Sequence, residues 1–188
     1  MPAHGRVPDR CLSGIPSPRR HGRRQFLKAL TVGGGVASLA TLRPEPGRCA
    51  GGTTDILLLS CMDFRLVDAT ARYMAGRELV GHYDQIILAG AALGALTEKY
   101  PAWNQTFWDH VSVARDLHKI RKVMILDHRD CGAYKVILGE DLAADPAQET
   151  GAHAAQLKRL GQLIREKHPA LEVELLLMAL DGTVEKIG

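Results

Sequence analysis

The chain has 188 residues, with 24 Lys and Arg against 21 Asp and Glu and a formal charge of +3. That near-balance hides two regions: residues 1–50 hold nine basic and two acidic residues, whereas residues 51–188 hold 15 basic and 19 acidic. The mildly acidic second region argues against a nucleic-acid-binding body, and no uncharged apolar run reaches the roughly 18–20 residues that a membrane-spanning helix needs. With 46% apolar and 24% charged residues the composition is that of a globular protein, and the part after residue 50 is long enough for one core and one domain.

In chain order, residues 1–50 read as a signal peptide and linker. Arg23-Arg24-Gln25-Phe26-Leu27-Lys28 precedes an uncharged run from Ala29 to Leu42, which is the order of an export signal. The arginine pair resembles the bacterial twin-arginine type, and Ser38-Leu39-Ala40 offers a cleavage site. That resemblance implies the twin-arginine export machinery as a partner, a periplasmic or extracellular destination, and a protein that folds, often around a cofactor, before it crosses the membrane.

Residues 51–188 carry four short apolar runs: Ile56–Leu59, Gln85–Leu88, Lys122–Leu126 and Val173–Met178. Their length suits strands buried on both faces, as in a parallel sheet. Helix-length segments lie between them at about 67–75, 103–117 and 151–167. In the second, Phe107, Val111, Ala114 and Leu117 recur at spacings of three and four; in the third, Ala154, Leu157, Leu160 and Ile164 do so. Residues 139–149 read as a loop. Alternation of strand and helix predicts an α/β fold, a three-layer domain with a mostly parallel central sheet of four to five strands.

Two clusters follow the first and third strands: Cys61-Met62-Asp63-Phe64-Arg65 and Asp127-His128-Arg129-Asp130-Cys131-Gly132. Side chains two apart in an extended segment share a face, so Cys61, Asp63 and Arg65 would point together while the chain stays extended. Ligands of open α/β sheets gather at the carboxyl ends of strands, so neighbouring first and third strands would bring Cys61, Asp63, His128 and Cys131 to one place. Two thiolates, an imidazole and a carboxylate suit Zn²⁺. Cys11 and Cys49 lie in or near the tail, which leaves Cys61 and Cys131 to the body. On the residues alone three other readings stand: a disulfide, two small buried apolar side chains, and a Cys61 nucleophile with His128 as its base. The disulfide leaves Asp63, Arg65 and His128 unexplained, and no nucleophile elbow or Cys-x5-Arg loop supports the nucleophile.

Cys61-x-Asp63-x-Arg65 followed by His128-x-x-Cys131-Gly132 resembles the zinc motif of β-class carbonic anhydrases, over most of the body from about residue 55 to 184. The resemblance implies that Cys61, His128 and Cys131 bind zinc, and that Asp63 either takes the fourth position or swings away to pair with Arg65. It implies reversible hydration of carbon dioxide to bicarbonate through zinc-bound hydroxide, with Asp63 and Arg65 catalytic, a small-molecule substrate, and a homodimer or higher homo-oligomer. The sequence departs from the family pattern in three places. Ile87-Leu88-Ala89-Gly90 stands where an Arg-Asn-Ala-Gly run is common, Phe64 replaces a serine, and Asp127 replaces a glycine. Phe64 and Leu88 suggest a drier pocket, so hydrolysis of carbonyl sulfide is an alternative, as is a non-catalytic zinc-binding domain. Asp127 reads as a carboxylate orienting an imidazole or as a strand-end cap. Further expectations are that His110 and His118 are a surface pair, that His82, His153 and His168 have no carboxylate or cysteine partner visible in the sequence, that Gly90–Gly94 is at most a weak phosphate turn, and that the N-terminal helical arm of many relatives is missing.

Overall fold

The computed structural model describes residues 52–139 and 141–188; the segment on which the expected export signal, Cys11 and Cys49 fall lies outside them, as does the expectation about an N-terminal helical arm. Strands β1 (Ile56–Ser60), β2 (Tyr83–Ile87), β3 (Lys122–His128), β4 (Glu172–Met178) and β5 (Val184–Lys186) form one sheet in the order β2-β1-β3-β4-β5. The first four run parallel and β5 is antiparallel to β4. The helices are α1 (Val67–Gly76), α2 (Ala91–Leu96), α3 (Pro101–Val113), α4 (Gly132–Leu138) and α5 (Pro146–Lys167).

Alternation along the strands sorts the core into two layers. Leu57, Leu59, Val123 and Ile125 face α2, α3 and α5, packing on Phe107, Val111, Leu157, Leu160 and Ile164. Ile56, Leu58, Met124 and Leu126 face α1, packing on Ala69 and Met74. β1 is buried at all five positions because helices cover both sides, which explains its unbroken apolar run. Each fully buried leucine there contributes about 1.5–3 kcal/mol of transfer free energy.

The strands and long helices expected from the sequence are present, with differences that have physical causes. β2 is an edge strand buried mainly on one face, and Ile87 is 56% exposed. α3 ends in a π-turn over Ala114–His118, which rotates Leu117 out of the apolar stripe into solvent. α5 begins five residues before 151, because Asp145 caps it by accepting from the amides of Ala147 (2.9 Å) and Gln148 (3.1 Å), with Pro146 in the first turn. His153, not Ala154, takes the buried place on that helix. α2 has no counterpart among the helices read from the sequence. It is six residues, uncharged and buried on nearly every side, so it has no amphipathic period. Its Gly94 is required by space: a Cβ there would lie 2.4 Å from the Ala89 carbonyl oxygen. The segment 90–94 is thus a helix packed against the strand end, not a phosphate turn.

The chain leaves β1 toward β2 on one side, and β3 joins β1 on the other, so the switch in strand order falls between β1 and β3. That crevice, at the carboxyl ends of the strands, is where such sheets hold ligands. No helix among the described residues is long and apolar enough to cross a membrane.

Candidate metal centre

Cys61 directly follows β1, and His128 is the last residue of β3. Because Ser60 pairs with Leu126, both side chains emerge at the same end of adjacent strands. Cys131 stands three residues on, at the N-cap of α4. The candidate ligand atoms of Cys61, His128 and Cys131 all lie within 4.8 Å of one another. The two sulfurs are 3.9 Å apart and both cysteines are free, far from the ~2.05 Å of a disulfide.

The donor set fits a metal ion. His128 Nδ1 donates to the Arg129 carbonyl at 2.8 Å, which fixes the tautomer and leaves Nε2 with its lone pair. That Nε2 is buried without a hydrogen-bond partner, one of two such side-chain atoms among the described residues. A buried unsatisfied polar atom costs about 1–3 kcal/mol, and a metal would satisfy it. Two thiolates at ~2.3 Å from a tetrahedral zinc lie about 3.8 Å apart, close to the spacing seen.

Charge at the cluster is polarised even without a metal. The Cys131 thiol, hydrogen-bonded to the Cys61 sulfur, lowers the Cys61 pKa to about 4; the His128 ring and the Gly90 amide (3.3 Å) act the same way, against burial. Cys131 moves upward, since the Cys61 sulfur and burial both keep its proton. For His128, burial opposes the charged ring, but Cys61 and the Arg129 carbonyl outweigh it and the net shift is upward.

Asp63 lies beside this cluster, with Oδ2 3.8 Å from His128 Nε2. The expected extended geometry stops there. Asp63 caps a 3-10 turn over Phe64–Leu66, and Arg65 reaches it by folding back. Arg65 donates from Nε to Oδ1 at 3.0 Å and from Nη2 to Oδ2 at 2.8 Å, and its backbone amide donates to Oδ1 at 3.0 Å. These bonds hold the Asp63 pKa down at about 2. Arg65 also donates from Nη1 to Asp130 Oδ2 (2.6 Å) and from Nη2 to the Asp130 carbonyl (2.8 Å).

A cavity of about 250 Å³ opens beside the cluster, lined by Cys61, Asp63, Ala89, Trp103, Val136 and Ile137 among others. Its dryness does not come from the residues expected to supply it. Phe64 is 85% exposed, and Leu88 packs into the core beneath.

Behind the cluster lies a buried polar network around Asp127, whose partners the sequence does not reveal. Asp127 accepts from the Ala92 amide (2.9 Å), the Tyr134 hydroxyl and His153 Nδ1 (2.9 Å). Asp127 therefore orients the imidazole of His153, not that of His128. Burial and the neighbouring Asp127 push the Tyr134 pKa well up. His118 and His168 also have partners, in Asp84 (2.7 Å) and Arg115 (3.0 Å). Their separations of 34 and 53 residues give no local sequence signal.

The fold is an open, mostly parallel α/β sheet with a Cys-His-Cys cluster compatible with a metal site at its switch point. Over residues 52–188 the chain matches the family described as "Putative carbonic anhydrase", and it belongs to that family. An uncharacterized protein of Rickettsia conorii is 43% identical over 131 residues, covering 70% of this chain and 70% of that protein. One of Rickettsia bellii is 42% identical over 131 residues, covering 70% and 80%. Among solved structures, a carbonic anhydrase from Glaciozyma antarctica aligns with TM-score 0.50 at 15% identity, over 76% of this chain and 87% of that one. The tetrameric β-carbonic anhydrases of Sordaria macrospora align with TM-score 0.51 at 14% identity, over 73% and 82%. These structural matches are likenesses of fold.

In the metal-free protein, one thiolate per chain should already be present at pH 7, read by its absorbance near 240 nm during a pH titration. Cys131→Ala should return the Cys61 titration toward the ordinary ~8.5 of a free thiol. An unchanged titration in that variant would contradict the shared-proton account.

Proposed function

We propose that this protein is a zinc-dependent carbonic anhydrase that interconverts carbon dioxide and bicarbonate. The observation that carries the reading is a buried, unpartnered His128 Nε2 facing two free cysteines, at the mouth of an apolar cavity. Cys61, His128 and Cys131 would hold the ion. Zinc, when bound, supplies Lewis acidity that lets water ionise near neutral pH.

The chain's own residues supply the rest. Ala89, Trp103, Val136 and Ile137 offer an apolar wall to an uncharged substrate, and exclude competing water. Arg65 keeps Asp63 ionised and aimed, so that its carboxylate can accept a hydrogen bond from water at the cluster and orient that water's oxygen. In the hydration direction the oxygen adds to the carbon, one proton passes to buffer and bicarbonate leaves. Clamping of Asp63 by Arg65 favours this reading over a non-catalytic site closed by Asp63. The cavity volume keeps a second substrate in view, since it leaves room for the larger sulfur atom of carbonyl sulfide. Stopped-flow hydration of CO₂ by zinc-loaded protein should exceed the uncatalysed rate, and Asp63→Ala should lose about 10²-fold. Turnover of carbonyl sulfide alone would move the assignment to that substrate, and neither turnover with zinc bound would remove the enzymatic reading.

Two further proposals concern the whole chain. The Arg23-Arg24 segment would direct export, so fractionation should find the protein outside the cytoplasm, with Arg23→Lys/Arg24→Lys retained inside; an unchanged distribution would contradict it. Met62, Val67 and Ile87 are exposed apolar side chains gathered with Tyr83 and Gln85 of the edge strand β2, and Phe64 adjoins Met62 in the chain with 85% exposure; together they support a homo-oligomer built on that face. Sedimentation equilibrium should give a multiple of the protomer mass, reduced by Phe64→Glu; a protomer mass for the wild type would count against it.

A further inference from the structure

We infer that Asp130 is a positioning residue: it anchors Arg65 so that the guanidinium holds Asp63 away from the metal position. This rests on the metal-centre reading above and adds a residue to which neither half of the motif gives a role. Asp130 has φ +53°, a left-handed conformation in which a non-glycine residue is uncommon and Asp is among the better tolerated. Tertiary contacts impose it. The Asp130 amide donates to Oε1 of Glu149, a carboxylate buried on α5. The other oxygen of Glu149 accepts from Arg129 at 3.1 Å, and Arg129 reaches on to Thr150 (2.9 Å) and Glu185. Fixed in this way, Asp130 turns both its carbonyl and its carboxylate toward Arg65.

Arg65 then makes two side-chain bonds to Asp63 and two to Asp130, bridging the loop that carries Cys61 to the loop that carries Cys131. The need for a second anchor follows from exposure. The Arg65 side chain is 34% exposed, and a partly exposed ion pair between near neighbours is weak on its own. Asp63 Oδ2 is only 3.8 Å from His128 Nε2, so a freed carboxylate has a short path to the cluster. An anchored guanidinium loses little further freedom on gripping Asp63, so Asp130 biases that carboxylate toward the held-back position.

The test uses the full-length protein loaded with cobalt(II), with thiocyanate as a probe for an open coordination position, read by visible absorption. Asp130→Gly keeps the positive φ and removes the carboxylate that anchors Arg65, leaving only the backbone carbonyl; Asp130→Asn also tolerates that φ but loses the charge. With cobalt stoichiometry unchanged, Asp130→Gly should weaken thiocyanate binding about 10-fold or more, with Asp130→Asn weakened less. Adding Asp63→Ala to Asp130→Gly should restore binding, because no carboxylate is left to close the site. A purely structural role for Asp130 would not produce that rescue. Wild-type affinity in Asp130→Gly, or no recovery in the double variant, would overturn the inference while leaving the metal centre intact. Failure of the wild-type protein to hold cobalt would overturn the metal reading and this inference together.

Discussion

Parallel pairing of β1 with β3 is the constraint on which everything else depends. With Ser60 opposite Leu126, the chain after β1 and the last residue of β3 leave the sheet side by side, and Cys61 meets His128. A one-residue slip would turn every β3 side chain to the opposite face and send His128 into the wrong layer. The register is held by two separate layers of core, one under α1 and one under α2, α3 and α5, each built from alternate residues of the same strands. The precision of three small donor groups is thus set by large apolar contacts far from them.

Around that point the molecule balances charge with few groups. The two sulfurs lie within hydrogen-bonding reach of each other, His128 is fixed by a carbonyl on one side and bare on the other, and Asp63 is held by an arginine that is itself held. Behind the cluster, Asp127 is saturated by three donors, which ties β3 to α2, α4 and α5 at the strand end that carries His128. A buried carboxylate is tolerable because every donor is supplied, and losing one donor would leave it uncompensated.

The parts legible in the sequence were those written in local pattern. Apolar runs mark four of the five strands, helical spacing marks the long helices, and residue chemistry at strand ends marks five candidate site residues. What escaped depends on contacts distant in sequence. α2 is too short and too buried for amphipathic periodicity, α4 is only seven residues with Tyr134 alone buried, and β5 is three residues, Val184–Lys186, with no pattern of its own. The partnership of Asp127 with His153 spans 26 residues, and that of Asp130 with Glu149 spans 19. Phe64 lies in solvent and not in the pocket because a 3-10 turn, not an extended strand, follows Asp63. The early start of α5 was readable, since Asp145-Pro146 is a helix-start signal.

The most direct test of this account is X-ray absorption at the zinc edge on purified, zinc-loaded protein. The account predicts one zinc per chain, with two sulfur neighbours at about 2.3 Å and one nitrogen at about 2.0–2.1 Å. Replacing His128 with Ala should remove the nitrogen or the metal altogether. A stoichiometric zinc with no sulfur neighbour, or one whose sulfur shell survives Cys61→Ala and Cys131→Ala together, would contradict it.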